Sequence, residues 1–328
     1  LHRIKGYVLW HKHLGVPVEG ALAYGRSKVF VGDLQGNLYA LNSRDGSESW
    51  KIKINSEWLS PPTVFRDRVY VTSSNDETYA LTETQGKEIW HYAHRGDEKM
   101  TVRGTGAPAV LNGMVYQGFS DGSLAALSAD DGRQLWIKRL KSRDRFYDID
   151  MTPYVDNDSV IAATFDGKLY NLNPKTGAVK WVFAVGSYGG FLVEGDTLYV
   201  SGLNGQFYAL NKNNSSLRWK VPFSGGVGTT PTRVGKYLAI TTSSDPVQLL
   251  DPADGKVVWT QSLGAGTLAA ANSAGEDGWL YCMSNYGNLF AYELKDNMPS
   301  SKFKDVLQSP SAVLPNLVQR TQNNKPAS

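Results

Sequence analysis

The chain has 328 residues, and its 34 Lys and Arg against 31 Asp and Glu give a formal net charge of +3. This small, dispersed charge does not favour nucleic acid or an anionic membrane as a partner. The sequence has no run of 18 apolar residues of the kind that spans a membrane. Its single cysteine, Cys282, can form neither an intrachain disulfide nor a multi-cysteine metal site, and we interpret it as a buried apolar residue.

The first residues already contain part of a motif that recurs later. Gly6 to Trp10 forms a Gly-x-x-x-Trp ending with no strand-like run before it. His11 and His13 follow on one face of the same predicted strand. A metal-binding pair is one interpretation, but surface histidines are favoured because no matching ligands are visible nearby.

The complete motif first appears at Gly36–Trp50, which reads GNLYALNSRDGSESW. Leu38–Leu41 alternates like a half-buried strand, Asp45-Gly46 is a turn pair, and the next strand is predicted over Ser47–Ile54, with Trp50 four residues after the glycine. The Gly-x-x-x-Trp ending recurs at Gly86/Trp90, Gly132/Trp136, Gly177/Trp181 and Gly255/Trp259, with a degraded copy at Asn214–Trp219. Four strand-like runs in a period near 40 residues are typical of a β-propeller blade.

The repeat predicts an all-β fold: a seven-bladed β-propeller of four-stranded antiparallel blades over residues 1–294. Eight blades are the alternative count. The last blade lacks a tryptophan strand, so the N-terminal strand is expected to complete it and remove its free edge. The expected blades are 18–54, 59–94, 106–140, 151–185, 189–223, 229–263, and 268–294 together with 5–14. Residues 295–328 are rich in Pro, Ser, Asn and Lys and are predicted to be a disordered tail.

The tryptophans at the repeat positions are predicted to dock structurally between blades. They are Trp10, Trp50, Trp90, Trp136, Trp181, Trp219 and Trp259. Trp58 falls outside the repeat. Packing on the rim is the favoured interpretation for Trp58, and an exposed contact is the alternative.

Two long linkers depart most from the repeat. Residues 95–104 join the second and third blades, and residues 138–150 join the third and fourth. Because the linkers are consecutive, we expect them to be neighbours on one rim of the ring. Long connections on a rigid scaffold often carry binding sites, although two solvated loops would have the same sequence character.

Three stretches resemble one family of quinoprotein-like propellers, the BamB proteins of outer-membrane β-barrel assembly. Val102–Pro108 is similar to a Leu-Arg-Gly-x-x-Ala-Pro segment of that family. Asp144–Pro153 is similar to its Asp-Arg-Leu-x-Asp-Val-Asp-x-Thr-Pro segment, and Gly190–Asp196 to its Asp-Phe-Ile-Val-Asp-Gly-Asn. These motifs lie within about 95–200, whereas the general repeat similarity covers 5–294. Familiar family members have eight blades, one more than we count here.

The resemblance implies a non-catalytic scaffold that binds a POTRA domain of BamA and assists outer-membrane protein insertion. The implied contact residues are Met100, Val102 and Arg103 in the first linker and Arg145, Asp148 and Asp150 in the second. Unfolded outer-membrane protein precursors are a further implied partner. No cofactor, metal or catalytic residue is implied.

The implied location is the periplasmic face of the outer membrane of a Gram-negative bacterium. Because the sequence begins at Leu1 and not at Met, we expect that an upstream segment was removed. A signal peptide and a lipidated cysteine would belong to such a segment, and lipid anchoring through it is the expected mode of membrane attachment.

The sequence leaves two other functions open. One is a dehydrogenase that holds pyrroloquinoline quinone and calcium on the ring axis, but the single Cys282 excludes the vicinal cysteine pair of the alcohol-oxidising enzymes. The other is a propeller that binds peptides or glycans with a different periplasmic partner. Pairing of an unfolded strand with an exposed sheet edge ranks lower, because a closed ring has few free edges.

Overall fold

The structure is a computed structural model that describes residues 7–18, 20, 22–96, 106–140, 148–164, 167–187, 189–223, 225–244, 246–273 and 278–294. These residues form strands and no helix. The strands make seven antiparallel sheets, each built from strands that are consecutive in sequence. The prediction of an all-β, seven-bladed propeller is therefore confirmed. The predicted tail, residues 295–328, lies outside the described residues.

The first three blades have four strands each. Blade 1 contains β1 (Ala23–Gly25), β2 (Lys28–Gly32), β3 (Asn37–Asn42) and β4 (Glu48–Lys53). Blade 2 contains β5 (Thr63–Phe65), β6 (Arg68–Thr72), β7 (Glu77–Thr82) and β8 (Glu88–Ala93). Blade 3 contains β9 (Ala109–Leu111), β10 (Met114–Gly118), β11 (Ser123–Ser128) and β12 (Gln134–Arg139).

The next three blades repeat this pattern and the seventh has three described strands. Blade 4 contains β13 (Tyr154–Val155), β14 (Val160–Thr164), β15 (Lys168–Leu172) and β16 (Val179–Phe183). Blade 5 contains β17 (Phe191–Glu194), β18 (Thr197–Ser201), β19 (Gln206–Asn211) and β20 (Leu217–Pro222). Blade 6 contains β21 (Thr232–Val234), β22 (Tyr237–Ile240), β23 (Val247–Leu250) and β24 (Val257–Gln261). Blade 7 contains β25 (Asn272–Ser273), β26 (Trp279–Met283) and β27 (Leu289–Glu293).

The strand order places the loops on two faces of the ring. The first strands of neighbouring blades contact one another, as β1 does β5 and β5 does β9, so they lie nearest the axis. Because consecutive strands are antiparallel, the turn between the second and third strands lies on the same face as the crossing to the next blade. We call this side the crossing face. The turns between the first and second strands, and between the third and fourth, lie on the opposite face.

Each complete blade has a β-bulge where its outer strand carries the tryptophan. In blade 1, Ala40 pairs with Trp50 and the register shifts between Ala40 and Leu41. The same shift occurs in the five other complete blades. A bulge bends the outer strand locally, and the small alanine opposite Trp50 leaves room beside the indole ring.

The hydrophobic core is divided into clusters that lie between successive blades. One cluster joins Phe30 and Leu38 of blade 1 to Val69 and Leu81 of blade 2. Corresponding clusters join each later blade to the next, up to blades 6 and 7. The alternating strand residues therefore bury both sides of each sheet, as a ring of stacked blades requires.

The N-terminal segment contributes to the seventh cluster. Trp10 and Leu14 pack against Val31, Tyr39 and Leu41 of blade 1. The predicted strand pairing with blade 7 is not formed by residues 7–14, which contain no strand, and residues 1–6 lie outside the described part of the chain. Side-chain packing of Trp10 and Leu14, and not a strand ladder, is thus what the described N-terminal residues add to the core.

Candidate partner-binding site on the crossing face

The residues expected to contact a partner fall on both sides of the described boundary. Met100, Val102, Arg103 and Arg145 lie outside the described residues. Asp148 and Asp150 are described, and Asp148 is only 1% exposed. Burial of Asp148 is a property that the motif alone did not predict.

The residues that directly follow the two linkers lie side by side. A Cβ atom added to Gly106 would stand 2.2 Å from the carbonyl carbon of Met151, so the two backbones touch where only glycine fits. The backbone N–H of Ala107 donates to Oγ1 of Thr152 at 3.0 Å. The first linker therefore ends against the segment in which the second one ends.

Ile149 fixes the end of the second linker to blade 3. Its backbone N–H donates to the carbonyl of Phe119 at 3.3 Å. Its side chain is 1% exposed and covers Gly118, where an added Cβ atom would be 2.3 Å from Cγ2 of Ile149. Asp148 and Asp150 flank this residue, so their positions follow from the packing of Ile149 on the end of β10.

A buried histidine–aspartate pair lies where the first linker begins. Nε2 of His94 is 3.1 Å from Oδ2 of Asp121, and both side chains are almost fully buried. The imidazole ring stacks on Phe119 with 4.3 Å between ring centroids. Burial opposes ionisation of Asp121, but the close contact with His94 and the hydrogen bonds from Ser123 outweigh it and lower the pKa of Asp121 to about 2.

Asp76 joins the same region from the turn between β6 and β7. Its carboxylate accepts hydrogen bonds from the backbone N–H of Ser120, at 3.2 Å, and from the Ser120 hydroxyl. Its backbone has φ +59°, in the left-handed region that non-glycine residues seldom adopt. Desolvation raises the pKa of Asp76, although the hydrogen bonds from Ser120 act in the opposite direction.

Asp150 completes the group. Its Oδ1 atom is buried and has no hydrogen-bond partner within the described part of the chain. Desolvation raises the pKa of Asp150 to about 7, and the negative charges of Asp148 and Asp76 act in the same direction. We call Asp76, His94, Asp121, Asp148 and Asp150 the acidic junction.

Sequence reasoning missed three members of the acidic junction. Asp76 and Asp121 occupy turns between the second and third strands, where an aspartate is ordinary turn chemistry, and His94 directly follows β8. Only the packing of the blades brings Asp76 close to Asp150 on one side and to His94 and Asp121 on the other. A possible sequence signal is that both turns precede a long linker on the crossing face.

The tryptophans of the repeat make one recurrent contact. In six of them the indole N–H donates to a carbonyl in the blade that follows in sequence, at 2.8–3.0 Å. The pairs are Trp10 with Ser43, Trp50 with Glu83, Trp90 with Ala129, Trp136 with Pro174, Trp181 with Lys212, and Trp219 with Pro252. Trp259 is buried between blades 6 and 7. These side chains are used in blade packing and leave the crossing face to other residues.

Burial separates the other single residues that the sequence analysis discussed. Trp58 is fully buried and its indole N–H donates to the carbonyl of Gly36 at 2.8 Å, so the packing interpretation is confirmed. Cys282 is buried and its pKa is raised to about 12 by desolvation. His11 and His13 are exposed. Within the described residues, no group of three or more His, Cys, Asp or Glu side chains is placed to hold a metal ion.

The sequence matches the family model described as outer membrane protein assembly factor BamB, over residues 2–221 and 166–297. A protein of that name from Yersinia pestis is 27% identical over 282 residues, which are 84% of this chain and 71% of the relative. The protein of that name from Shewanella oneidensis is 26% identical over 254 residues, 75% of this chain and 64% of the relative. The chain thus spans about two thirds of the length of these relatives.

Solved structures show the same fold. The crystal structure of BamB from Moraxella catarrhalis superposes with a TM-score of 0.75 at 24% identity, covering 86% of this chain and 87% of that one. A quinohemoprotein alcohol dehydrogenase from Pseudomonas putida HK5 superposes with a TM-score of 0.67 at 13% identity, covering 83% of this chain and 62% of that one. At these identities the likeness is one of fold.

Proposed function

The chain belongs to the family of the outer membrane protein assembly factor BamB, and from this we propose that it is a non-catalytic scaffold in outer-membrane protein assembly. It binds a POTRA domain of BamA through the two neighbouring linkers of the crossing face, with Met100, Val102 and Arg103 in one and Arg145 in the other. Asp148 and Asp150 shape the second linker from its buried end. The bound scaffold assists insertion of barrel precursors.

The observation that carries the proposal is the convergence of the two linkers. Gly106, just after the first linker, touches Met151, just after the second, and Ile149 of the second linker is fixed to Phe119 of blade 3. A rigid support of this kind lowers the entropy that two long loops lose when a partner binds. Apolar side chains beside an arginine are a common composition for the centre of a small interface.

We propose different roles for the aspartates and the arginines of the two linkers. Asp148 is almost fully buried, so it acts on a partner through the conformation of its linker. Arg103 and Arg145 belong to the parts of the linkers outside the described residues, and we assign direct contact to them. Substitutions of the aspartates should therefore change both folding stability and binding, whereas substitution of Arg103 should change binding alone.

The family assignment also supports a cellular location. We place the protein on the periplasmic face of the outer membrane, held there by a lipid anchor. The described part of the chain contains no helix with the length and hydropathy of a membrane span.

A dehydrogenase function has less support. The likeness to the quinohemoprotein is one of fold at 13% identity, and the curated relatives are named as assembly factors. The buried thiol of Cys282 lies in β26 against the apolar cluster of blades 6 and 7.

Calorimetry with the POTRA region of the cognate BamA tests the proposal. We expect micromolar or tighter binding by the wild-type chain and a loss of at least tenfold in the Arg103→Ala variant. The matched control is Arg133→Ala, because Arg133 is exposed and lies in a turn on the opposite face. Both variants should retain the melting temperature of the wild type.

Absence of binding at any attainable concentration would contradict the proposal. Equal weakening by Arg103→Ala and Arg133→Ala would keep BamA as the partner but remove the crossing face as its binding surface.

A further inference from the structure

The seam between blade 7 and blade 1 exposes apolar side chains that are covered at the other seams. Leu289 occupies the place in β27 that Leu38 occupies in β3, and it is 42% exposed. In the six complete blades, the residue two places before the partner of the tryptophan is fully buried. Five of these six residues belong to the cluster shared with the next blade, and the set is Leu38, Thr78, Leu124, Leu169, Phe207 and Val247. Leu289 therefore faces blade 1 without the cover that its counterparts have.

The facing wall of this seam is formed by β1. Ala23 packs into the cluster of blades 1 and 2, so Tyr24 points to the other side of the strand, toward blade 7. Tyr24 is 70% exposed, and Leu22, two residues earlier, is exposed as well. The corresponding residues of blades 2 to 5 pack on the cluster shared with the preceding blade, and they are Val64, Val110, Val155 and Val193. Tyr24 and Leu289 therefore lie on opposite sides of the same seam.

The crossing residue at this seam explains the exposure. In blade 1 the second strand ends in Gly32, and Trp58 of the crossing covers it. The second strand of blade 7 ends in Met283, which is 51% exposed. Val18 follows Pro17, whose carbonyl accepts a hydrogen bond from the turn of blade 1 at 3.4 Å, just as the residue before Trp58 accepts one from the turn of blade 2. Val18 is thus the counterpart of Trp58, but it is exposed and leaves Met283 uncovered.

These residues form one apolar surface. We call it the open seam and define it by Leu22, Tyr24, Met283 and Leu289. Tyr286 extends it onto the crossing face from the turn that precedes β27. Leu268 is exposed beside that turn, because its backbone N–H donates to Oδ1 of Asn285 at 3.2 Å. An exposed apolar surface that several residues share is typical of a binding site.

The chain itself contains a segment that matches this surface. Residues 295–328 follow Leu294, the residue after β27, and lie outside the described residues. Within this segment 306–319 carries no charge, and its seven apolar residues are Val306, Leu307, Ala312, Val313, Leu314, Leu317 and Val318. From Leu294 to Leu314 the chain can extend about 65 Å at about 3.3 Å per residue, whereas a five-residue strand of blade 7 spans about 17 Å. The apolar stretch can therefore reach any part of the open seam.

We propose that residues 306–318 dock in the open seam of the same chain. The tether gives this stretch an effective concentration on the order of millimolar near the seam, so a modest apolar contact is enough to hold it. Docking removes apolar surface of both the stretch and the seam from water, which favours the docked state. The disorder expected for 295–328 follows from its overall composition, from which this uncharged stretch departs. Docking does not depend on the BamA contact proposed above, because the open seam lies between blades 7 and 1 whereas the two linkers flank blade 3.

Photocrosslinking of the full chain tests where the stretch lies. The photoreactive residue p-benzoylphenylalanine is incorporated at position 286, beside the open seam, and the cross-linked residues are mapped by mass spectrometry. The matched control carries the same group at position 203, because Leu203 is exposed in the corresponding turn of blade 5. We expect cross-links from position 286 to residues 306–318 within one molecule, at a yield at least about fivefold above that from position 203. Dilution of the protein should leave this yield unchanged.

Leu314→Asp provides a second readout in the full chain. A charge in the middle of the stretch opposes its burial, so we expect the cross-link from position 286 to fall at least about fivefold. The amides at the start of β27 should also exchange hydrogen faster than in the wild type, because their cover is lost. The matched control is Thr321→Asp, which adds the same charge outside the apolar stretch and should behave as the wild type in both measurements.

Three results would overturn the docking. One is an equal yield of cross-links to 306–318 from positions 286 and 203, including no cross-link from either. Another is a covalent dimer as the main product, with a yield that rises with concentration, which would assign the open seam to a second copy of the chain. The third is the same cross-linking and hydrogen exchange in Leu314→Asp as in Thr321→Asp.

Discussion

Gly132 lies directly beneath the indole ring of Trp90 and shows what the repeated glycine does. A Cβ atom at this position would stand 2.6 Å from Cε3 of Trp90, and the backbone has φ +73°. The indole N–H meanwhile donates to the carbonyl of Ala129 in the same turn. The Gly-x-x-x-Trp motif is therefore two halves of a contact between neighbouring blades, with the glycine receiving the tryptophan of the preceding blade.

This arrangement predicts a large effect of Gly132→Ala. The left-handed backbone costs about 1–2 kcal/mol for any L-residue, and displacement of the Trp90 ring adds about 1–3 kcal/mol. Gly113→Ala separates the two contributions, because Gly113 has φ +74° in the same blade and nothing within 4 Å of an added Cβ atom. Chemical denaturation should show the smaller loss for Gly113→Ala. Equal losses would mean that the Trp90 ring moves aside without cost.

At the scale of the element, the crossings between blades depend on single apolar residues that cover a glycine. Trp58 covers Gly32 in the crossing from blade 1 to blade 2, and Ile149 covers Gly118 in the crossing from blade 3 to blade 4. The two crossings differ in length and sequence but place a side chain over the end of the second strand. The crossing face is thus supported by packing at its base.

Ile149→Ala tests this support. Deletion of a fully buried isoleucine side chain typically costs about 2–5 kcal/mol, and here it also frees the buried end of the second linker. Ile137→Ala is the control, because Ile137 lies in blade 3, on which Ile149 packs, but is 38% exposed, so its loss should be below about 1 kcal/mol. Urea denaturation measures the stability of both. Similar losses in the two variants would refute the role of Ile149 as the support of the crossing.

The elements were predictable from sequence to a much greater extent than the junction was. The blade strands alternate, their turns contain Asp-Gly pairs, and the tryptophans recur at a near-constant spacing, so local rules and the repeat agree. The acidic junction depends on Asp76 and Asp121, which are 45 residues apart and sit in turns where aspartate is unremarkable. No local pattern records that the packing of the blades brings Asp76 close to both Asp121 and Asp150.

At the scale of the whole molecule, six of the seven apolar clusters in the described residues lie between neighbouring blades, and the seventh differs from them. These six clusters each join one blade to the next, from blades 1 and 2 through to blades 6 and 7. The remaining cluster joins blade 1 to Trp10 and Leu14 of the N-terminal segment. Trp10 makes the same contacts as the other repeat tryptophans, since its indole N–H donates to Ser43 and its ring covers Gly46. Trp10 thus makes the contacts of a repeat tryptophan, although residues 7–14 form no strand.

Trp10→Ala should consequently act on the closure of the ring. The substitution removes the 2.8 Å hydrogen bond to Ser43 and the apolar contact with Val31, Tyr39 and Leu41, and large-to-small changes of a packed tryptophan cost about 3–5 kcal/mol. Because Trp10 is only partly buried, we expect a loss near the lower end of this range. Val8→Ala is the control, since Val8 lies in the same segment and is 53% exposed. Guanidinium denaturation gives the stability of each, and hydrogen exchange should show added exposure of β2 and β3 in Trp10→Ala alone. If Trp10→Ala is no less stable than Val8→Ala, closure of the ring rests on residues other than the docked tryptophan.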